Sequence, residues 1–76
     1  MATLQERQAL ADNLQRMREE KGLSQQELAD AAGVSRNAVD QWENGSYIPN
    51  VIAAAAVAEK LGVTCEQLIA TEGKEG

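Results

Sequence analysis

The spacing of Ala29, Gly33 and Val39 is the feature that most constrains how this chain folds. Counted from Gln25, these residues stand at the fifth, ninth and fifteenth positions of a twenty-residue segment. Two short helices joined by a tight turn cross at roughly 90–120°, and the crossing needs a small side chain, which Ala29 provides. The turn needs a positive φ, which Gly33 adopts without strain, and Val39 must face inward to hold the angle. The segment predicts a steeply crossed helix pair, although a generic helical hairpin shares this pattern.

Capping signals divide the rest of the chain into short helices. Ser24 with Glu27, and Thr64 with Gln67, have the form of capping boxes. Further helices are predicted to begin after Ser35 and Asn50, and the first helix to begin near Thr3 or Asp12 and to end at Lys21-Gly22. The sequence therefore predicts an all-α fold of five helices. We expect one domain over residues 1–76, with a core at about 10–70 and a flexible tail at 71–76.

Composition excludes several kinds of site. The 76 residues contain no histidine and one cysteine, Cys65, which excludes the usual Cys/His metal sites and His-dependent catalysis. Cys65 is interpreted as a buried structural side chain. No apolar stretch approaches the roughly 20 residues that span a bilayer. We expect a cytoplasmic protein that is not an enzyme and has no cofactor, no small-molecule ligand and no membrane partner.

Two segments carry a resemblance to a known family: "NLQRMREEKGLSQQELADAAGVSRNAVDQWENGSYIPN" and "VAEKLGVTCEQLIA". Over Asn13–Ala70 the chain resembles the phage-repressor type of helix-turn-helix domain, the XRE/Cro-like family. The resemblance implies a five-helix, lambda-repressor-like fold, with the helix-turn-helix in helices 2 and 3, that binds operator DNA as a two-fold dimer. Ile52 departs from the polar residue usual in the family. The run Ala53–Ala56 replaces larger leucines, which predicts a thin core there.

The third helix is the expected reading helix. With Val39 and Trp42 facing the core, Arg36, Asn37, Asp40 and Gln41 point outward. Arginine pairs with guanine, and asparagine or glutamine with adenine, in the major groove. The resemblance places Arg36, Asn37 and Gln41 at base-reading positions. Asp40 is interpreted as a spacer or an orienter of Arg36. The bland alternative is that these four side chains are simply solvated.

Phosphate contacts are expected at both ends of the helix pair. Gln25 begins the second helix, where free N–H groups and the helix dipole favour an anion. The full set of expected phosphate contacts is Gln25, Ser35, Asn44, Gly45 and Ser46, although Asn44-Gly45 also fits a plain helix C-cap. By resemblance, Arg18 and Glu43 form an ion pair that orients the third helix.

Charge complicates the prediction of DNA binding. The net charge is −5, and residues 22–50 hold one basic and four acidic residues. We expect weak non-specific affinity, helped if Arg16 and Lys21 approach the rim, and a homodimer formed through the C-terminal helices. Its contacts are expected from Leu68, Ile69 and Ile52, unless Leu68 and Ile69 only complete the monomer core.

The predicted function is a sequence-specific transcriptional regulator that represses by binding a palindromic operator in double-stranded DNA. The alternative is a protein-interaction module or antitoxin-type partner that keeps the fold with weak or no DNA binding.

Overall fold

The computed structural model describes residues 4–69, with side chains from residue 7 onward. Within this range it contains five α-helices and no strand. The helices are α1 (Leu4–Glu20), α2 (Gln25–Ala32), α3 (Arg36–Glu43), α4 (Val51–Leu61) and α5 (Cys65–Ile69). The predicted all-α fold is confirmed, and the expected flexible tail lies outside the described residues.

Side-chain caps begin the later helices where the sequence predicts. Ser24 Oγ accepts a hydrogen bond from the Glu27 N–H at 3.0 Å, and Glu27 Oε1 accepts one from the Ser24 N–H at 2.7 Å. Thr64 and Gln67 form the same reciprocal pair at 3.0 and 2.9 Å. These contacts satisfy backbone donors that the first turn leaves unpaired. Since α1 begins at residue 4, Asp12 lies inside it rather than at its start; the expected cap, Thr3, lies outside the described residues.

The turn between α2 and α3 depends on one backbone conformation. Gly33 has φ 71° and ψ 31°, in the left-handed region. The Val34 N–H then donates to the Ala29 carbonyl at 3.0 Å, which closes the end of α2. A Cβ at Gly33 would meet nothing within 4 Å. Glycine is therefore required here by its positive φ and not by lack of space.

The core lies where α2 packs against α3 and α4, and α1 against α3 and α5. Ala29 and Val39 are fully buried at the crossing of α2 and α3, as predicted. Trp42 is also in the core. Within residues 4–69, the buried residues that form this cluster are Leu10, Leu14, Leu28, Ala29, Val39, Trp42, Ala53, Val57, Leu61 and Leu68.

The start of α5 and most of the alanine run in α4 lie outside the core. The interpretation of Cys65 as buried is wrong, because it is exposed at the first position of α5, whose core contact is made by Leu68. In the run Ala53–Ala56, only Ala53 is buried, so α4 packs chiefly through Val57 and Leu61.

No helix within residues 4–69 has the length and apolar character needed to cross a membrane. The same part of the chain holds no group of three or more His, Cys, Asp or Glu side chains arranged for a metal ion.

Candidate nucleic-acid interface

Helix α3 has one buried face and one polar face. Val39 and Trp42 are buried, whereas Arg36, Asn37 and Asp40 are exposed. Ser35 Oγ accepts from the Ala38 N–H at 3.3 Å and so begins the helix immediately before Arg36. Gln41 is half-buried, and its backbone carbonyl accepts from the N–H of Ser46, in the loop that follows α3, at 3.0 Å. The first turn of α3 is therefore the part most open to a ligand.

Arg18 of α1 anchors the other end of α3. Its Nε donates to Glu43 Oε2 at 2.6 Å and its Nη2 donates to Glu43 Oε1 at 3.2 Å. Its Nη1 donates to the Leu23 carbonyl at 2.8 Å. The two charged side chains are 13% and 6% exposed, and the hydrogen bond to Glu43 raises the pKa of Arg18 above its ordinary value. The expected ion pair is present and joins α1 to the end of α3.

The side chain of Gln25 packs against α3, a position that its place at the start of α2 does not predict. Its Nε2 donates to Glu43 Oε1 at 3.0 Å and lies 3.5 Å from Asp40 Oδ1. Its Oε1 accepts from Arg36 Nη1 at 3.2 Å. The side chain expected to meet a phosphate thus contacts three residues of α3. The sequence signal for this role is slight: Gln25 has an amide side chain, which both donates and accepts, at the first position of the helix that precedes α3.

Asp40 does not orient Arg36 by direct contact. Among the described residues, the ion pairs within 4.0 Å do not include Arg36 with Asp40. The Gln25 amide lies between the two groups instead. Asp40 is therefore connected to Arg36 only through the Gln25 amide.

The loop after α3 brings together the other residues expected to contact phosphate. Asn44 Oδ1 accepts from the Ser46 N–H at 2.9 Å, and Gly45 has φ 82°. Asn44 also ends α3, since its N–H donates to the Asp40 carbonyl at 3.0 Å. The loop is therefore a helix C-cap whatever else it binds. A phosphate contact by Ser46 would use its hydroxyl, because its N–H is already bonded.

Two basic residues expected near the rim lie beside other groups. Arg16 pairs with Glu20 at 3.8 Å and donates to Asn13 Oδ1 at 3.1 Å. Lys21 extends its ammonium group toward Gly62, at the end of α4. The positive charge on the exposed start of α3 comes from Arg36.

Comparison with known proteins agrees with this geometry. A profile of the helix-turn-helix family matches residues 14–68. The HTH-type transcriptional activator BcrR of Enterococcus faecalis is 34% identical over 61 residues, which make up 80% of this chain and 30% of that protein. The HTH-type transcriptional regulator y4dJ of Sinorhizobium fredii is 35% identical over 63 residues, covering 83% of this chain and 82% of that one. This chain therefore spans less than a third of the length of BcrR.

A solved structure shares the arrangement of helices. The hypothetical transcription factor NHTF from Neisseria superimposes with a TM-score of 0.80 and 32% identity, over 90% of this chain and 78% of that chain. These relatives are named as regulators or factors of transcription. The family match, the relatives and the buried helix crossing lead to one conclusion: this chain belongs to the XRE-type helix-turn-helix family of transcriptional regulators.

Proposed function

We propose that this protein binds double-stranded DNA in a sequence-specific way, with α3 in the major groove. The observation that carries the proposal is the division of α3 into two faces. Val39 and Trp42 hold it in the core, while Arg36 and Asn37 stand exposed at its start. Helix-turn-helix proteins contact base edges with the N-terminal residues of the second helix.

The exposed residue types match the hydrogen-bonding groups of the groove. Arg36 donates to the O6 and N7 acceptors of guanine, while Asn37 and Gln41 pair with the N6 and N7 atoms of adenine. Gln41 is half-buried, so its reach is shorter. Arg36 and Asn37 therefore make the leading base contacts, with Gln41 reading further along the groove.

Phosphate contacts set the position of the helix on DNA. The start of α2 at Gln25, the start of α3 at Ser35, and the Asn44 amide and Ser46 hydroxyl of the following loop offer donors for such contacts, whereas the Gly45 N–H already donates to the Trp42 carbonyl. Because residues 22–50 contain a single basic residue, few phosphates are neutralised. The affinity then falls only shallowly as salt rises, and a steep slope in a salt titration would contradict this surface.

A homodimer supplies the rest of the affinity. Two copies on a palindromic operator place their α3 helices about 34 Å apart, one turn of DNA. The exposed apolar side chains near α4 and α5 favour this assembly: Ile52 is 79% and Ile69 is 53% exposed. Leu68 is fully buried, so of the two roles left open for it the one in the monomer core holds, and Leu68 is not part of the proposed dimer contact.

The proposed outcome of binding is repression. A DNA-bound dimer blocks polymerase by occupying a promoter, which needs no contact beyond those to DNA. A reporter placed behind the selected operator tests the sign of regulation. Expression that falls when the protein is supplied supports repression, and expression that rises makes the protein an activator.

Selection of bound sequences from a random DNA pool tests the main proposal. Enrichment of a palindromic site supports specific binding by a dimer, and enrichment of a lone half-site supports binding by a monomer. Failure to enrich any sequence at low salt contradicts DNA binding. That result would favour a protein-interaction or antitoxin-type role, for which the net charge of −5 and the exposed Ile52 offer a surface.

A further inference from the structure

Arg36 and Asp40 stand four residues apart on one helix, a spacing at which opposite charges are neighbours and can pair. The structure does not pair them. Arg36 Nη1 donates to Gln25 Oε1 at 3.2 Å, and Gln25 Nε2 lies 3.5 Å from Asp40 Oδ1. An amide from α2 therefore keeps the two charges of the reading helix apart.

The orientation of that amide follows from its neighbours. Glu43 and Asp40 offer only acceptors when ionised, whereas the Arg36 guanidinium offers only donors. Only one orientation, with NH₂ toward the carboxylates and oxygen toward Arg36, satisfies all of them. Glu43 is itself held by Arg18 at 2.6 Å. The contacts that orient the Gln25 amide therefore begin at this nearly buried ion pair and run outward to the surface of α3.

We propose that Asp40 determines specificity by selecting cytosine in the major groove, and that Gln25 is the positioning residue that keeps Asp40 and Arg36 as two separate reading groups. This inference rests on the proposed function. In the major groove cytosine presents the N4 donor, whereas guanine presents the acceptors N7 and O6 and thymine the acceptor O4. An exposed carboxylate is therefore attracted to cytosine and repelled by guanine and thymine. Adenine, which pairs its N6 donor with the N7 acceptor, is intermediate.

The proposal also accounts for an acidic residue on a DNA-facing helix. Asp40 lowers the affinity for every sequence through repulsion by phosphates. The N4 donor of a cytosine opposite Asp40 offsets this loss of affinity, and it does so at that one position only. Asp40 Oδ1 faces the Gln25 amide, so Oδ2 is the oxygen directed to cytosine N4.

Selection from a random DNA pool tests the inference with the full chain and three variants. Asp40→Asn keeps the size of the side chain and removes its charge, while Gln25→Ala removes the separating amide. Gln26→Ala is the matched control, because Gln26 is exposed on α2 and its amide donates to Asp30 at 2.8 Å. Thermal unfolding checks that each variant is folded.

The wild type is expected to enrich cytosine at one position of each half-site. Asp40→Asn should lose that preference by roughly five- to a hundredfold, the range for one good base contact, with unchanged or higher total affinity. Gln25→Ala should weaken the preference at both the cytosine and the guanine positions, because Arg36 and Asp40 then pair with each other. Gln26→Ala should leave every preference intact.

Three results would overturn the inference. If the Asp40→Asn variant keeps the cytosine preference, Asp40 does not read that base. If the Gln25→Ala variant loses affinity equally for all sequences, Gln25 acts only as a phosphate contact. Both results leave DNA binding standing, whereas a wild type that enriches no sequence overturns the inference together with the proposed function.

Discussion

Helices α3 and α4 begin in the same way and present opposite chemistry. Each follows an extended cap residue, Ser35 or Asn50, whose side chain accepts from a backbone N–H three residues later. The first two residues of α3 are Arg36 and Asn37, whereas those of α4 are Val51 and Ile52, which are 78% and 79% exposed. Capping determines where a helix starts, but not which groups its first turn contacts.

The two helices also differ in how they are held. Both bury apolar residues, but α3 is additionally joined to α1 by the nearly buried pair of Arg18 and Glu43. A charged anchor is directional, because it holds one end of α3 in one orientation. Apolar packing such as that of Val57 and Leu61 in α4 carries no such direction. The helix proposed to read bases thus has the more specific anchor.

The largest expected effect is the loss of that anchor. Arg18→Met leaves the Glu43 carboxylate, 6% exposed, without its cation, and should lower the free energy of unfolding by about 3 kcal/mol. Urea denaturation measures this free energy of unfolding. Arg16→Met is the control, because the exposed ion pair of Arg16 contributes about 0–1 kcal/mol. Equal losses in the two variants would show that the anchor is no stronger than a surface pair.

The pH dependence of this effect follows from the pKa of Arg18, which the hydrogen bond to Glu43 raises. A raised pKa in the folded state means that the contribution of Arg18 is complete below its unfolded pKa. It is lost only as the pH rises through the folded pKa, which is strongly alkaline. Titration of Arg18 should therefore leave the difference between Arg18→Met and wild type unchanged from about pH 6 to 9.

Removal of the first side chain of each helix compares the two starts directly. Arg36→Ala should weaken binding to the selected operator by roughly five- to a hundredfold and change the free energy of unfolding by less than about 0.5 kcal/mol. Val51→Ala, the equivalent change in α4, should leave binding to a single half-site unaltered. Fluorescence anisotropy with half-site DNA measures both, and equal losses would contradict the assignment of α3 as the reading helix.

A charge on the apolar start of α4 should affect association instead. Ile52→Glu is expected to weaken the proposed dimer by roughly tenfold or more, since a carboxylate would have to be buried in an apolar contact. Sedimentation equilibrium measures the change, and Glu59→Gln, on the exposed part of the same helix, serves as control. Unaltered association in Ile52→Glu would place the contact elsewhere.

The smallest effects should come from the two caps. Ser35→Ala and Asn50→Ala should each lower the free energy of unfolding by about 1 kcal/mol. Only Ser35→Ala should also weaken DNA binding, because Ser35 stands at the proposed phosphate contact. Thermal unfolding and anisotropy on the same samples separate the two effects; a matching loss of DNA affinity in Asn50→Ala would remove Ser35 from the interface.

Local signals predicted most of the fold, because caps and turns act over three or four residues. Gly33 was placed in the turn from its conformational freedom, and its φ of 71° agrees. Cys65 was misplaced, since exposure at the start of a five-residue helix depends on which neighbour packs beneath it. The pairing of Arg18 with Glu43 came from family resemblance, because nothing local joins residues 25 positions apart.

The sequence by itself determined five helices, the crossed pair at its centre and the residue types on the exposed face of α3. Those features depend on hydrogen bonds within a turn and on the helical period, both written into short segments. Only the tertiary structure decided that Gln25 lies between Arg36 and Asp40, and that Leu68 completes the core while its neighbour Ile69 is exposed. Contacts between helices depend on where the crossing angle carries each side chain, and packing of the whole core sets that angle.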